Sequence, residues 1–190
     1  GKLATALHTF AVAATDQAGN TGALSSGLVE VAVGGATLSG KTGVTSMLVG
    51  TGSFNGFYVY NVADKVSQLA GGNGIIISSV NYKLPTNVDT LQITGTATQG
   101  TGNNDSINYL YDASSVASTL TAGNAATSFY VAGTAGTTLV GGAGKDTFIF
   151  LNNLTGKDVI KNFRASNEVL QFNTSLFTNF AAAMSHAKQV

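Results

Sequence analysis

The sequence predicts an all-β protein: a parallel β-roll or solenoid with a C-terminal capping helix, preceded by an antiparallel strand pair. Three observations predict it. First, a large apolar residue opens each of four short bursts at Leu120, Tyr130, Leu139 and Phe148, close to every nine residues. Nine is too short for a helical repeat or a propeller blade. It suits a coil of two short strands and two turns, each coil stacking on the one before. Second, Gly is abundant, at 24 residues, while proline occurs once, at Pro85. That balance suits many tight turns rather than a linker. Third, Leu48-Val49-Gly50-Thr51-Gly52-Ser53-Phe54-Asn55-Gly56-Phe57 aligns without gaps on Leu139-Val140-Gly141-Gly142-Ala143-Gly144-Lys145-Asp146-Thr147-Phe148. Asn55 falls where Asp146 sits, and the two stretches read as copies of one unit.

The elements follow in order. In residues 1–33, Phe10, Val12 and Ala14 share one face of a strand, Asp16–Asn20 has turn chemistry, and Val29, Val31 and Val33 alternate with Glu30 and Ala32. Two strands alone are marginal in water, so this pair must find a partner in the chain, in upstream sequence or in a neighbouring molecule. Residues 34–172 form the roll. Gly74–Val80 and Leu91–Ile93 read as buried strands separated by a break at Leu84-Pro85, and Asp158–Ile160 and Val169–Phe172 as the last two. Residues 173–190 form the cap. Leu176, Phe177, Phe180, Met184 and Ala187 make one apolar helical stripe, with Thr174 or Ser175 as N-cap.

Composition excludes several functions. Nine basic groups balance nine acidic ones, and only 9% of residues are charged, so there is no electrostatic footprint for nucleic acid or an anionic membrane. There is no cysteine, which removes disulfides, thiolate metal sites and a cysteine nucleophile. No apolar run reaches about 18 residues, so no membrane insertion is expected. Residues 1–14 lack the form of a signal peptide. The chain starts mid-pattern and ends inside a predicted helix, which reads as a piece of something longer. No nucleophile elbow, phosphate loop or zinc-helix motif occurs, and the chain is predicted not to be an enzyme. His8 and His186 stand without ligand or triad spacing and read as surface or packing residues. Six tyrosines (58, 60, 82, 109, 111 and 130) read as strand packing, with a sugar-stacking platform as the alternative. Lys157, Lys161 and Arg164 read as a solvated basic face.

One motif carries chemistry. Gly141-Gly142-Ala143-Gly144-Lys145-Asp146-Thr147-Phe148-Ile149 fits the nonapeptide pattern G-G-x-G-x-D-x-U-x. Its glycines permit turn dihedrals and let carbonyls converge, the Asp supplies a hard carboxylate, and the U residue points inward. Calcium takes six to eight such oxygens. The predicted metal ligands are Asp146 with backbone oxygens of Gly142 and Gly144, and then Asp105 in Gly100–Asp105. The preceding turn, Ala132–Thr137, has no carboxylate.

With that motif the chain resembles the hemolysin-type, repeats-in-toxin family over about residues 45–190. LVGGAGKDTFIF resembles a last repeat, the stretch from Asp158 to Val190 the cap that follows, and NGIIISSVNYKLPTNVDTLQITGTA the degenerate repeats that precede. Residues up to about 33 resemble the last two strands of bacterial immunoglobulin-like repeats. The family resemblance implies a right-handed roll and bound calcium as cofactor, with most sites degenerate here. It implies a protein secreted by a Gram-negative bacterium, exported by the type I route with an uncleaved signal beyond Val190. The expected function is a structural module of a large surface protein (an adhesin, surface-layer or fibre component) that associates with itself or with neighbouring domains. The alternatives are a folding and secretion cap for an upstream enzyme, and a carbohydrate-binding module for a cell-surface glycan.

Overall fold

The computed structural model describes residues 7–10, 15, 17–19, 21, 28–32, 35–105, 107–151 and 156–188. Within them run β1 (Leu7–Phe10), β2 (Leu28–Ala32), β3 (Thr37–Ser39), β4 (Ser46–Gly50), β5 (Phe54–Val59), β6 (Lys65–Gln68), β7 (Asn73–Ser78), β8 (Tyr82–Lys83), β9 (Thr90–Gly95), β10 (Gln99–Thr101), β11 (Ile107–Ser114), β12 (Ser118–Thr121), β13 (Ala126–Val131), β14 (Thr137–Val140), β15 (Thr147–Phe150), β16 (Val159–Lys161), β17 (Val169–Phe172) and the helix α1 (Phe180–His186). The odd-numbered strands from β3 to β17 form one eight-stranded sheet. The even-numbered strands form the opposite wall in two pieces, β2-β4-β6 with β1 on its outer edge, and β8-β10-β12-β14-β16. All neighbours are parallel except β1 with β2. The result is a β-solenoid of about 7 turns.

The nine-residue rhythm of the sequence is one strand and one turn, so two of them close a coil. Leu91 lies beside Leu110, Leu110 beside Phe129, and Phe129 beside Phe148, a step of 19 residues each time. Because side chains alternate across a strand, a fixed step keeps one column of residues inside. Leu38, Phe57, Ile76, Leu91, Leu110, Phe129 and Phe148 make that column and are all buried. Phe129 and Phe148 stack with ring centroids 5.0 Å apart. Leu120 and Leu139 face them from the other wall, beside Gly100, whose missing Cβ leaves room for Leu120.

The even wall breaks between β6 and β8, whereas the predicted break at Leu84-Pro85 falls in the connection from β8 to β9, and β7 and β9 pair directly. The step there shortens to 15 residues, since Ile75 lies beside Thr90. Side chains bridge the gap: the Tyr82 hydroxyl donates to Asp64 O at 3.2 Å, and the Asn87 amide donates to Gln68 O at 3.0 Å.

Both ends depart from the sequence reading. β2 is already a rung of the roll, in parallel register with β4, so the roll begins before residue 34. Its inward face is Glu30 and Ala32, not the valines; Val29 and Val31 are half-buried on the outer face. Register with Leu48 turns Glu30 inward, where its carboxylate accepts from Ser39 N at 3.2 Å. Val12, Ala14, Asp16, Asn20 and Val33 lie outside the described residues. At the other end the helix is shorter than its apolar stripe. Asn179 is the N-cap, accepting from Ala182 N, rather than Thr174 or Ser175. Leu176 and Phe177 pack before the helix begins, while Phe180 and Met184 are exposed. The helix contributes only Ala183 to buried surface.

Candidate cation site at the turn 141–146

The two aligned copies occupy the same place in the coil: each runs from an even strand through a turn into an odd strand. The residue two before the inward Phe then also points inward, which puts Asn55 and Asp146 in one polar column with Asn108 and Thr127. Asn55 and Asp146 reach back to the preceding coil, while Asn108 bonds to Asn103 and Thr127 to Ala125 O within their own turns. The Asp146 carboxylate, wholly buried, accepts from Thr127 N at 3.0 Å with Oδ1 and from Gly142 N at 2.8 Å with Oδ2. Asn55 Oδ1 accepts from Ala36 N at 3.1 Å in the same way. The conserved geometry of the column thus closes backbone donors that the turns would otherwise leave unpaired in the core.

The motif glycines serve a different purpose from the one expected. Gly141, Gly142 and Gly144 do not have positive φ. A Cβ on Gly142 would collide with the carbonyl oxygen of Gly123, and one on Gly123 with that of Asn103. Successive turns lie backbone on backbone, and only glycine allows that approach.

The predicted ligands do not form an open metal shell. Both Asp146 oxygens already accept N–H groups. The carbonyl of Gly144 accepts from Arg164 Nη2, and that of Ala143 from Arg164 Nη1 at 3.0 Å. Asp105 sits two turns earlier, between β10 and β11, and does not join Asp146. Its Oδ2 accepts from Asn87 N at 2.7 Å and from the Asn103 amide at 3.3 Å. Among the described residues no three His, Asp or Glu side chains converge on a common point.

Arg164 is 38% exposed, but unlike the exposed Lys157 and Lys161 it is tied down by its partners. It ion-pairs with the buried Glu168 at 2.7 Å, and Glu168 Oε2 accepts Arg164 N at 2.6 Å. Burial pushes the Asp146 carboxyl up from the ordinary carboxylate range. The N–H groups of Gly142 and Thr127 pull it back, Glu168 raises it and Arg164 lowers it. Arg164 was legible in one respect: it lies 21 residues after Ala143, about one coil on.

A second polar centre escaped the sequence reading. Asp112 is fully buried where β11 faces β12 and β14. Its Oδ1 accepts from Ser114 N at 2.9 Å and from the Ser114 hydroxyl at 2.6 Å. Its Oδ2 accepts the hydroxyls of Ser118 and Thr137, both at 2.6 Å. One carboxylate thereby ties the two walls together. Asp158 lies near: it accepts from Thr137 N at 2.8 Å, and its carboxyl is raised by burial, opposed by that hydrogen bond, with a further rise from the Asp112 charge.

Comparisons with protein-family models, curated proteins and solved structures return no match. The tyrosines divide. Tyr58, Tyr111 and Tyr130 stand half-buried in one outward column, Tyr111 and Tyr130 stacked at 4.2 Å, whereas Tyr82 packs against the core. His186 sits in the last turn of α1 against Ala182 O and the Phe177 ring. The side chain of His8 lies outside the described residues.

Proposed function

We propose that the chain is a non-catalytic structural module of a large secreted bacterial surface protein, and that it assembles by stacking end to end with further copies. The observation that carries this reading is the open C-terminal end of the core. The inward column is buried from Leu38 to Phe148, yet its next member, Leu170, is 38% exposed. Phe163, which packs edge-on against Phe148 with ring centroids 5.9 Å apart, is exposed as well. Exposed apolar surface of this kind at a rim marks an interaction site. The eight-stranded sheet also has unpaired edges at β3 and β17 among the described strands. Strand addition from one copy's last coil to another's first would continue both the backbone ladder and the column. Such a head-to-tail contact does not close on itself and produces filaments.

Sedimentation velocity over rising protein concentration tests it. The wild-type chain is expected to form growing oligomers. Leu170→Asp is expected to remain a monomer with an unchanged β-sheet circular dichroism spectrum. A wild-type chain that stays monomeric at every concentration contradicts the reading.

A further inference from the structure

We propose that the Arg164 guanidinium takes the place of a bound divalent metal ion at the turn 141–146, so that this coil is held by a cation belonging to the chain itself. The turn gathers oxygen atoms. The carbonyls of Ala143 and Gly144 and the buried carboxylates of Asp146 and Glu168 lie around it. These are hard oxygen donors, the kind that calcium gathers. Their combined negative potential, with both carboxylates buried and the turn carbonyls at the rim, is met by a positive partner. A guanidinium is always charged and presents five donors in a fixed planar fork. Here all three nitrogens of the fork are engaged across the gap. Nε donates to Glu168 Oε1 at 2.8 Å, Nη1 to Ala143 O, and Nη2 to Gly144 O and to Glu168. Arg164 arrives from the following coil, 20 and 21 residues beyond the carbonyls it binds. It therefore joins two successive coils, as an ion shared between turns would.

The earlier copy of the same turn supplies an independent observation. At the position of Asp146 it has the neutral Asn55, which among the described residues bonds to no Lys or Arg. The Asn55 amide donates to Gly52 O at 3.4 Å and to Gln68 Oε1 at 2.8 Å, and the Gln68 amide donates to Gly52 O at 2.8 Å. Where the column is neutral, amides satisfy the turn carbonyl. Where it carries a carboxylate, a guanidinium does. In both turns the chain fills the position with its own donors.

Thermal melts of the full chain test the proposal in excess calcium and in excess chelator. The wild type is expected to melt at the same temperature in both. R164A is expected to melt about 5 °C lower in chelator, because Glu168 and the carbonyls lose their partner. Calcium is then expected to recover most of that loss by occupying the vacated oxygens. A wild-type midpoint that calcium raises overturns the proposal, as does an R164A midpoint that calcium leaves unmoved. Should R164A fail to fold in either condition, R164K and R164Q decide. R164K keeps the charge and must melt above R164Q; equal midpoints overturn the role of the charge.

Discussion

Gly142→Val is expected to cost more than about 3 kcal/mol and to lower the thermal midpoint by roughly 10 °C. A Cβ at this position would collide with the Gly123 carbonyl oxygen, and the Ala122 Cβ lies next to it. The obstacle is backbone, and it cannot turn aside as a side-chain end would. Gly123 is held in turn over Asn103 O, so any shift would have to pass down the stack of turns. Ala143→Val is the control, because Ala143 is exposed on the outside of the same turn. Circular dichroism melts of the two variants measure the difference. A Gly142→Val midpoint equal to that of the control contradicts backbone-on-backbone packing of the turns.

Asp112→Ala is expected to cost about 3–5 kcal/mol, the largest effect of any polar substitution in the roll. It strands the buried hydroxyls of Ser118 and Thr137 and the Ser114 N–H, while the Ser114 hydroxyl keeps Val116 O at 2.9 Å; each unpaired buried group costs about 1–3 kcal/mol. It also releases the contact between the two walls. Urea denaturation measures the loss, and the slope should stay constant while the midpoint falls. A midpoint within about 0.5 kcal/mol of wild type shows that water or rotated hydroxyls satisfy the site instead.

The repeat was legible because glycine turns and inward apolar residues share one period. A strand-and-turn unit of nine puts Leu120, Leu139 and Phe148 inside without any knowledge of the partner strand, but it misplaces Tyr130, which points outward while Phe129 fills the inward position. The inward polar residues were harder to see. Alternation along β11 places Asn108, Leu110, Asp112 and Ser114 on one face, which does signal a buried Asp. What it does not signal is the three hydroxyl groups that make the burial tolerable, since Ser118 comes from the opposite wall and Thr137 from the next coil. Glu30 was hard to place for a related reason. Its alternation with the valines leaves open which face is inward; register with Leu48 decides the face, and register is a property of the assembled sheet. Arg164 looked like surface charge because its partners, Ala143, Gly144 and Glu168, are brought to it only when the coils stack. The helix was overextended because Leu176 and Phe177 fit a helical stripe while packing instead as a turn against Phe172.

The stacking register is the basis of every contact described, and a disulfide scan reads it most directly. The chain has no native cysteine, so any bridge formed is the engineered one. Thr119 and Thr138 are outward partners on β12 and β14. Parallel neighbours lie about 4.8 Å apart, within reach of a disulfide. Thr119→Cys combined with Thr138→Cys is expected to oxidise to an intramolecular disulfide in the native state, while Thr119→Cys combined with Leu139→Cys, whose second position faces the core, is not. A bridge in the second pair and none in the first would place every side chain of β14 on the wrong face and contradict the 19-residue coil.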